Sequence, residues 1–132
     1  MWVLKMNGSL NVEDIFQDLK EVANSDDAVH MKAYMKNQFE FLGVKTPIRR
    51  QISKIFFKKS HKSTIDWKFI NQAWENPYRE MQYVVLDYLQ LKQKSLTSND
   101  LPKIKQLAQI KPWWDTIDFL CRSVGYICLH YP

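Results

Sequence analysis

The stretch WWDTIDFLCRSVGYICL, residues 113–129, indicates the fold class of this chain through its periodicity. On a helical wheel, one face collects apolar side chains at the spacing of a buried helix face: Trp113, Ile117, Leu120, Cys121, Val124, Ile127 and Cys128. A second face carries residues three or four positions apart: Trp114, Asp118, Arg122 and Gly125. The stretch therefore predicts an amphipathic α-helix whose polar face joins a tryptophan to an aspartate.

The rest of the chain repeats this helical pattern, and no segment keeps the period of two that is typical of a strand. Helices are expected at residues 12–22, 27–35, 46–60, 67–74, 78–94 and 101–108 and from Lys111-Pro112 onward. Asn11 and the LTSND stretch are expected to cap helices. About seven helices with short links predict one all-α domain, residues 1–132, of stacked antiparallel helical hairpins of the HEAT-like or ARM-like solenoid type.

The segment TPIRRQISKIFFKKS, residues 46–60, predicts one of these helices in detail. Thr46 is expected to cap it, and Pro47 suits its first turn. Its buried stripe is expected to consist of Ile48, Ile52, Ile55 and Phe56. A separate row at i, i+4 spacing must face elsewhere, and it consists of Arg50, Lys54 and Lys58.

Positive charge is concentrated between Met31 and Ile65, where nine basic residues accompany a single acid, Glu40. A solvated lysine-rich surface is the usual explanation for such a segment. A block this one-sided nevertheless favours a polyanionic partner, with nucleic acid as the first candidate.

The composition excludes several classes of protein. A chain of 132 residues with 45% apolar residues can bury a core and is not disordered. No apolar run approaches the roughly 20 residues that span a bilayer, so no membrane partner is expected and a cytoplasmic location is the default expectation. Cys121 and Cys128 are expected to be small buried residues. With three scattered histidines they give no metal-ligand spacing, so no metal or cofactor is expected.

The two aspartates of the 113–129 stretch differ in how easily they are explained. Asp115 lies in the first helical turn, where the helix dipole favours a carboxylate. Asp118 has no such explanation, and the ordinary alternative is an ion pair with Arg122, four residues later. From these residues alone the ion pair is favoured over a functional carboxylate beside Trp114.

Three stretches, YMKNQFEFLGVKTPIRR (residues 34–50), WENPYREMQ (residues 74–82) and WWDTID (residues 113–118), resemble the successive signatures of the AlkD family. Members of this family are bacterial DNA glycosylases that excise alkylated purines and are built from HEAT-like helical repeats. The resemblance covers most of the chain from about residue 30 onward, in the right order. It implies a hydrolase of DNA alkylation repair whose partner is double-stranded DNA with alkylated bases.

The resemblance also implies roles for individual residues. Asp118 corresponds to the catalytic aspartate of the family, Trp114 to the tryptophan one turn before it, and Tyr34 to a tyrosine that lines the same site. A concave phosphate-binding groove would be lined by Arg50, Lys54 and Lys58, with Lys36 and Arg49 as further candidates. Arg79 and Glu80 are expected to cap or pair at the start of their helix.

One departure from the family affects these expectations. Relatives continue for roughly another chain-half of helices, which add a DNA-facing arginine and a tryptophan to the site, whereas this sequence ends at ICLHYP. We therefore expect a chain that is C-terminally truncated relative to the family. DNA binding should then be weak and steeply salt-dependent. Ile127, Cys128 and Leu129 should form an exposed patch that favours self-association through the last helix.

Two other functions stay open on the sequence alone. The chain could be a non-catalytic HEAT-like module that binds DNA or protein, or an inactive fragment of the enzyme. The environment of Asp118 discriminates between them and a glycosylase. A side chain locked against Arg122 in a packed interior favours a scaffold, whereas one that opens beside Trp114 and Tyr34 favours the enzyme.

Overall fold

The computed structural model describes residues 10–60 and 64–132. Its α-helices are α1 (Val12–Glu21), α2 (Ser25–Tyr34), α3 (Thr46–Lys59), α4 (Trp67–Trp74), α5 (Arg79–Leu91), α6 (Leu101–Gln109) and α7 (Trp114–His130). Within the described ranges there is no strand, only an isolated bridge between Glu40 and Tyr78. The prediction of an all-α fold is confirmed. In this part of the chain, no helix combines the length and the apolar character that crossing a membrane requires.

The helices pack as pairs that stack side by side. Helix α1 packs against α3, α4 against α5, and α6 against α7. Residues 75–78 and 110–113 connect the second and third pairs, and links this short make the paired helices antiparallel. Helix α5 contacts both α3 and α7, so these three helices form one layer. Helices α1, α4 and α6 each cover one member of that layer, and the apolar core lies between the two sets.

Several helix starts follow the local sequence as predicted. Asn11 accepts a hydrogen bond from the Asp14 amide at 3.1 Å, which confirms it as a cap. Thr97 and Asp100 form a capping box in a 3₁₀ turn that leads into α6. Helix α2 begins earlier than expected, because Asn24 caps it at the Asp27 amide. Helix α5 ends at Leu91 instead of about residue 94, because a 3₁₀ turn at residues 93–95 follows it.

Helix α3 corrects two predictions. Its N-cap is Lys45, so Thr46 does not cap the helix, although Pro47 does lie in the first turn. The expected buried stripe is wrong at Ile48 and Ile55, whose residues are 44% and 52% exposed. The buried positions are instead Arg49 and Ser53. Arg49 is buried because its guanidinium pairs with Asp87 of α5, which turns this polar face of α3 toward its neighbour.

Helix α7 is also rotated relative to the predicted wheel. It begins at Trp114, not at Lys111-Pro112, and its buried residues are Asp115, Thr116, Leu120, Ser123 and Ile127. The expectation that Cys121 and Cys128 are buried is wrong, because both are exposed. Two polar residues of the first turn point inward toward α5, and this rotation moves the cysteines outward. Of the expected exposed patch, Cys128 and Leu129 are exposed, whereas Ile127 is fully buried.

A buried carboxylate fixes the loop between α2 and α3. Glu80 is fully buried, and its carboxylate accepts hydrogen bonds of 2.9–3.1 Å from the backbone amides of Leu42, Gly43 and Val44. Gly43 has a φ of +89°, and a Cβ there would lie 1.9 Å from the carbonyl oxygen of Asn24. The loop can therefore approach α2 this closely only with glycine at position 43.

We expect Glu80→Gln to lower the free energy of unfolding by about 2–4 kcal/mol, because an amide replaces an acceptor that serves several buried donors. Urea denaturation followed by circular dichroism measures this loss. Glu21→Gln, at an exposed position of α1, is the matched control and should change stability by less than about 0.5 kcal/mol. An equal effect of both substitutions would contradict the role of Glu80 as a clamp.

Candidate functional site

The structure brings together two aromatic residues that are distant in sequence. Tyr34 is the last residue of α2 and Trp114 the first of α7. Their ring centroids lie 5.9 Å apart, with an angle of 72° between the ring planes. Tyr34 is 69% exposed and Trp114 is 51% exposed. Two large aromatic residues held in contact at the surface contribute little to the core, and this geometry suits the binding of a ligand.

Asp118 lies one helical turn after Trp114 and is exposed. Among the described residues, its carboxylate has neither a hydrogen bond nor an ion pair. The expected partner Arg122 instead places its guanidinium over the ring of Phe119, 4.5 Å from the centroid. The ion pair that the sequence alone favoured is therefore not formed. Asp118 is an open carboxylate next to the Tyr34–Trp114 pair.

Asp115, three residues before Asp118, has a structural role instead. Its carboxylate binds the fully buried Arg79 of α5 in a bidentate pair, with distances of 2.7 and 3.0 Å. The Tyr83 hydroxyl donates to the same carboxylate at 2.6 Å. Burial and this hydrogen bond raise the pKa of Tyr83 well above its ordinary value, so Tyr83 remains a neutral donor. The expectation that Arg79 pairs structurally is confirmed.

Arg79 also binds residues on both sides of the start of α7. Its guanidinium donates to the carbonyl oxygen of Lys111 at 2.9 Å and to the Thr116 hydroxyl at 3.2 Å. Lys111 has a φ of +54°. Its ammonium group donates to the carbonyl oxygens of Glu75 and Asn76, and burial lowers its pKa. These bonds fix where α7 begins and hence the direction in which Trp114 and Asp118 point.

The segment that follows Tyr34 is held against the same arginine. The Arg79 guanidinium lies over the ring of Phe39, 3.6 Å from the centroid, and the Arg79 amide donates to the carbonyl oxygen of Glu40 at 2.9 Å. Phe39 in turn contacts Trp113, with ring centroids 6.4 Å apart. Arg79 therefore joins the end of α2 to the start of α7, which explains why the two exposed aromatic residues meet.

The predicted basic row lines a groove between α3 and α5. The groove has a volume of about 480 Å³ and is bordered on the α3 side by Arg50, Lys54 and Lys58. Arg50 is half-exposed and lies 3.4 Å from the Asp87 carboxylate. Lys36 lies elsewhere, exposed in the turn after α2. The three residues of the row thus share one accessible surface.

Arg49 does not share that surface. It is 5% exposed, and its guanidinium binds Asp87 at 3.1 Å and stacks over the ring of Tyr83, 5.2 Å from the centroid. A phosphate group outside the protein could reach it only if this pair opened. Its contact with DNA stays a prediction, whereas in this structure Arg49 holds α3 on α5.

Arg122 is not among the binding residues predicted from the sequence. It lines a smaller groove between α5 and α7, together with Phe119 and Gln90. Gln90 also lines the groove between α3 and α5, so the two grooves adjoin. The sequence does place Arg122 on the same helix face as Trp114 and Asp118, at i, i+4 spacing. An ion pair with Asp118 was the simpler interpretation of that spacing. In residues 10–60 and 64–132 no cluster of His, Cys, Asp and Glu side chains could hold a metal ion.

The fold and this site define an all-helical protein with a cationic groove and an exposed carboxylate beside aromatic residues. A family described as DNA alkylation repair enzyme matches residues 15–130 of the chain. The chain belongs to this family. None of the curated proteins matches it.

A solved structure supports the same relationship. It is described as a predicted DNA alkylation repair enzyme from Enterococcus faecalis, and it is 31% identical to this chain with a TM-score of 0.73. The similarity covers 82% of this chain and 52% of that one, so the chain spans about half the length of the structure that it matches.

The two aspartates of α7 should differ sharply in their effect on stability. Asp115→Asn leaves the buried Arg79 without its counter-charge, and we expect it to lower the free energy of unfolding by about 3–5 kcal/mol. Asp118→Asn changes an exposed side chain that has no partner among the described residues, so its effect should stay within about 0.5 kcal/mol. Urea denaturation of both variants tests this, and a larger loss for Asp118→Asn would contradict the assignment.

Proposed function

We propose that this protein acts in DNA alkylation repair as a glycosylase that excises positively charged alkylated purines, with alkyl groups at N3 or N7, from double-stranded DNA. The observation that carries the proposal is the exposed Asp118 carboxylate, open beside Trp114 and Tyr34. Family membership supports DNA as the partner. The stacked helical pairs support a fold of the HEAT-like type, in which one layer of helices faces the ligand.

The chemistry follows from the charge of the substrate. When the glycosidic bond breaks, its electron pair moves to the purine, which leaves as a neutral base, and the sugar acquires oxocarbenium character. An anion near C1′ stabilises this developing positive charge, and Asp118 supplies one. A water molecule then adds to C1′ and gives up a proton, which Asp118 can accept before it passes to solvent. The products are a free base and an abasic site.

The aromatic pair recognises the cationic base. The faces of Trp114 and Tyr34 carry partial negative charge, which attracts a positively charged purine and the cationic sugar that forms from it. The neutral base that leaves loses this attraction. The pair therefore favours binding of the charged lesion over binding of the product or of an unmodified base.

The α3–α5 groove supplies the contact with the DNA backbone in this proposal. Arg50, Lys54 and Lys58 lie on successive turns of α3 and can neutralise phosphates along one strand. Lys36, in the exposed turn after α2, is a further candidate close to Tyr34 in sequence.

The proposal predicts release of N7-methylguanine from duplex DNA at a rate above the spontaneous loss. Asp118→Asn should slow this release by at least about 100-fold, because the carboxylate acts only on the charge that develops in the transition state. Chromatography of the free base measures the rate. Asp18→Asn, at an exposed position of α1, is the matched control and should release base at the native rate.

Equal rates for the native chain and Asp118→Asn would remove Asp118 from the mechanism. A native rate no higher than the spontaneous one would favour a second candidate, a non-catalytic DNA-binding module. The specific observation behind that candidate is the basic groove, which can bind a backbone without help from Asp118.

DNA binding should show a steep dependence on salt. The double variant Lys54→Ala/Lys58→Ala removes two phosphate contacts. The plot of log K against log salt, whose slope is negative, should therefore become shallower by about two. Fluorescence anisotropy with an unmodified duplex between about 50 and 200 mM salt measures the slope. Lys68→Ala, on α4 in the other layer, should leave it unchanged. If Lys68→Ala made the slope as shallow as the double variant does, the proposed backbone contact would be contradicted.

We also propose that the outer face of α7 mediates self-association. A largely apolar groove of about 570 Å³ runs between α6 and α7 and includes Leu101, Ala108, Ile117 and Cys121. Cys128 and Leu129 are exposed on the same helix. An exposed apolar surface of this kind is costly in water. Sedimentation should show a species larger than a monomer at high concentration, and a monomer at every concentration would contradict this.

A further inference from the structure

The groove between α3 and α5 has features that binding to the phosphates of a DNA duplex does not require. Its wall on α5 includes Gln90 and Leu91, and its lining on α3 includes Phe57. Leu91 is 61% exposed, and Phe57 is half-buried, with its ring packed against Tyr88 at a centroid distance of 5.3 Å. Phosphates on the outside of a duplex are bound by cations and amides. An apolar wall contributes nothing to that contact.

The charge of the groove is complementary to a single nucleotide. Arg50, Lys54 and Lys58 border it, and among the residues that the structure describes Asp87 is the only acid that lines it. This carboxylate is already shared between the buried Arg49 and the more exposed Arg50. A phosphate can therefore enter without meeting a free negative charge, and Arg50 can turn to it while Arg49 retains Asp87.

The remaining lining suits a base. Exposed Leu91 and the accessible part of Phe57 offer apolar contact to a planar ring, and bases bind aromatic and apolar side chains in this way with little dependence on sequence. The side-chain amide of Gln90 can donate to a base edge and accept from it. A volume of about 480 Å³ also exceeds what one phosphate group requires.

We propose that this groove binds an unpaired nucleotide of the DNA strand, with its phosphate among those that Arg50, Lys54 and Lys58 neutralise and its base against Leu91 and Phe57. The site is separate from Asp118, which lies on α7. It rests on the proposed DNA partner but not on base excision. Its consequence is a preference for DNA in which a base is already displaced from the stack, as a damaged or mispaired base is.

The test is a binding comparison with DNA that carries no alkylated base. Fluorescence anisotropy is measured with a fully paired duplex and with the same duplex containing one unpaired nucleotide. The native chain should bind the second duplex about fivefold more tightly or better. Leu91→Ser should remove this preference and change affinity for the paired duplex less than about twofold. Val29→Ser, 66% exposed on α2, is the matched control and should keep the preference.

The outcomes separate this site from the proposed catalytic one. Asp118→Asn should bind both duplexes as the native chain does, so a failure of base release leaves this test intact. Equal affinity of the native chain for both duplexes, or an equal loss with Leu91→Ser on both, would overturn the proposal. Adenosine monophosphate is the free-nucleotide control. If it bound in a Leu91-dependent manner while the duplexes showed no preference, the groove would be a site for free nucleotides, and the assignment to DNA would be wrong.

Discussion

The ion pair between Arg79 and Asp115 is the interaction on which the rest of the site depends. Arg79 is fully buried, and its partner is nearly so. Burying two charges costs several kcal/mol each unless their hydrogen bonds are satisfied. Here the guanidinium is bidentate to the carboxylate and also binds a backbone carbonyl and a hydroxyl, while Tyr83 donates to the same carboxylate. The first turn of α7 can therefore lie only where these donors and acceptors meet.

Glu80, the next residue, fixes the loop between α2 and α3 in the same way. Its carboxylate holds the amides of residues 42–44, and the Arg79 side chain stacks on Phe39 in the same connecting segment. The start of α5 thus fixes both the segment that follows Tyr34 and the helix that carries Trp114. Two adjacent buried charges thus align elements whose other contacts include the ring pairs Tyr34–Trp114 and Phe39–Trp113. Because Asp115 pairs with Arg79, Asp118 takes no part in this ion pair.

The sequence predicts the local features of this fold well and its buried polar contacts poorly. Helices and several caps follow from residues close in the chain, such as Asn11 with Asp14. The wheels of α3 and α7 are wrong because they place every charged residue outside, whereas Arg49 and Asp115 are buried by partners more than thirty positions away. Nothing in a helical period shows such partners.

The proposed site was predictable only by resemblance. The sequence alone favoured an ion pair between Asp118 and Arg122, and the structure instead directs Arg122 onto Phe119. Tyr34 lies far from Trp114 in the sequence, and only the packing around Arg79 brings them together. The α3–α5 groove was predictable in part, because the spacing of Arg50, Lys54 and Lys58 placed them on one face. Its apolar wall, from Leu91, depends on how α3 and α5 pack.

The central claim is that Asp118 faces a sugar that becomes positively charged. The most direct measurement compares the affinities for two duplexes, one with a pyrrolidine in place of a sugar, which is cationic at neutral pH, and one with the uncharged tetrahydrofuran. The account predicts that the native chain binds the cationic duplex at least about tenfold more tightly and that Asp118→Asn abolishes the difference. Equal affinities for the native chain, or a preference that survives Asp118→Asn, would contradict the account.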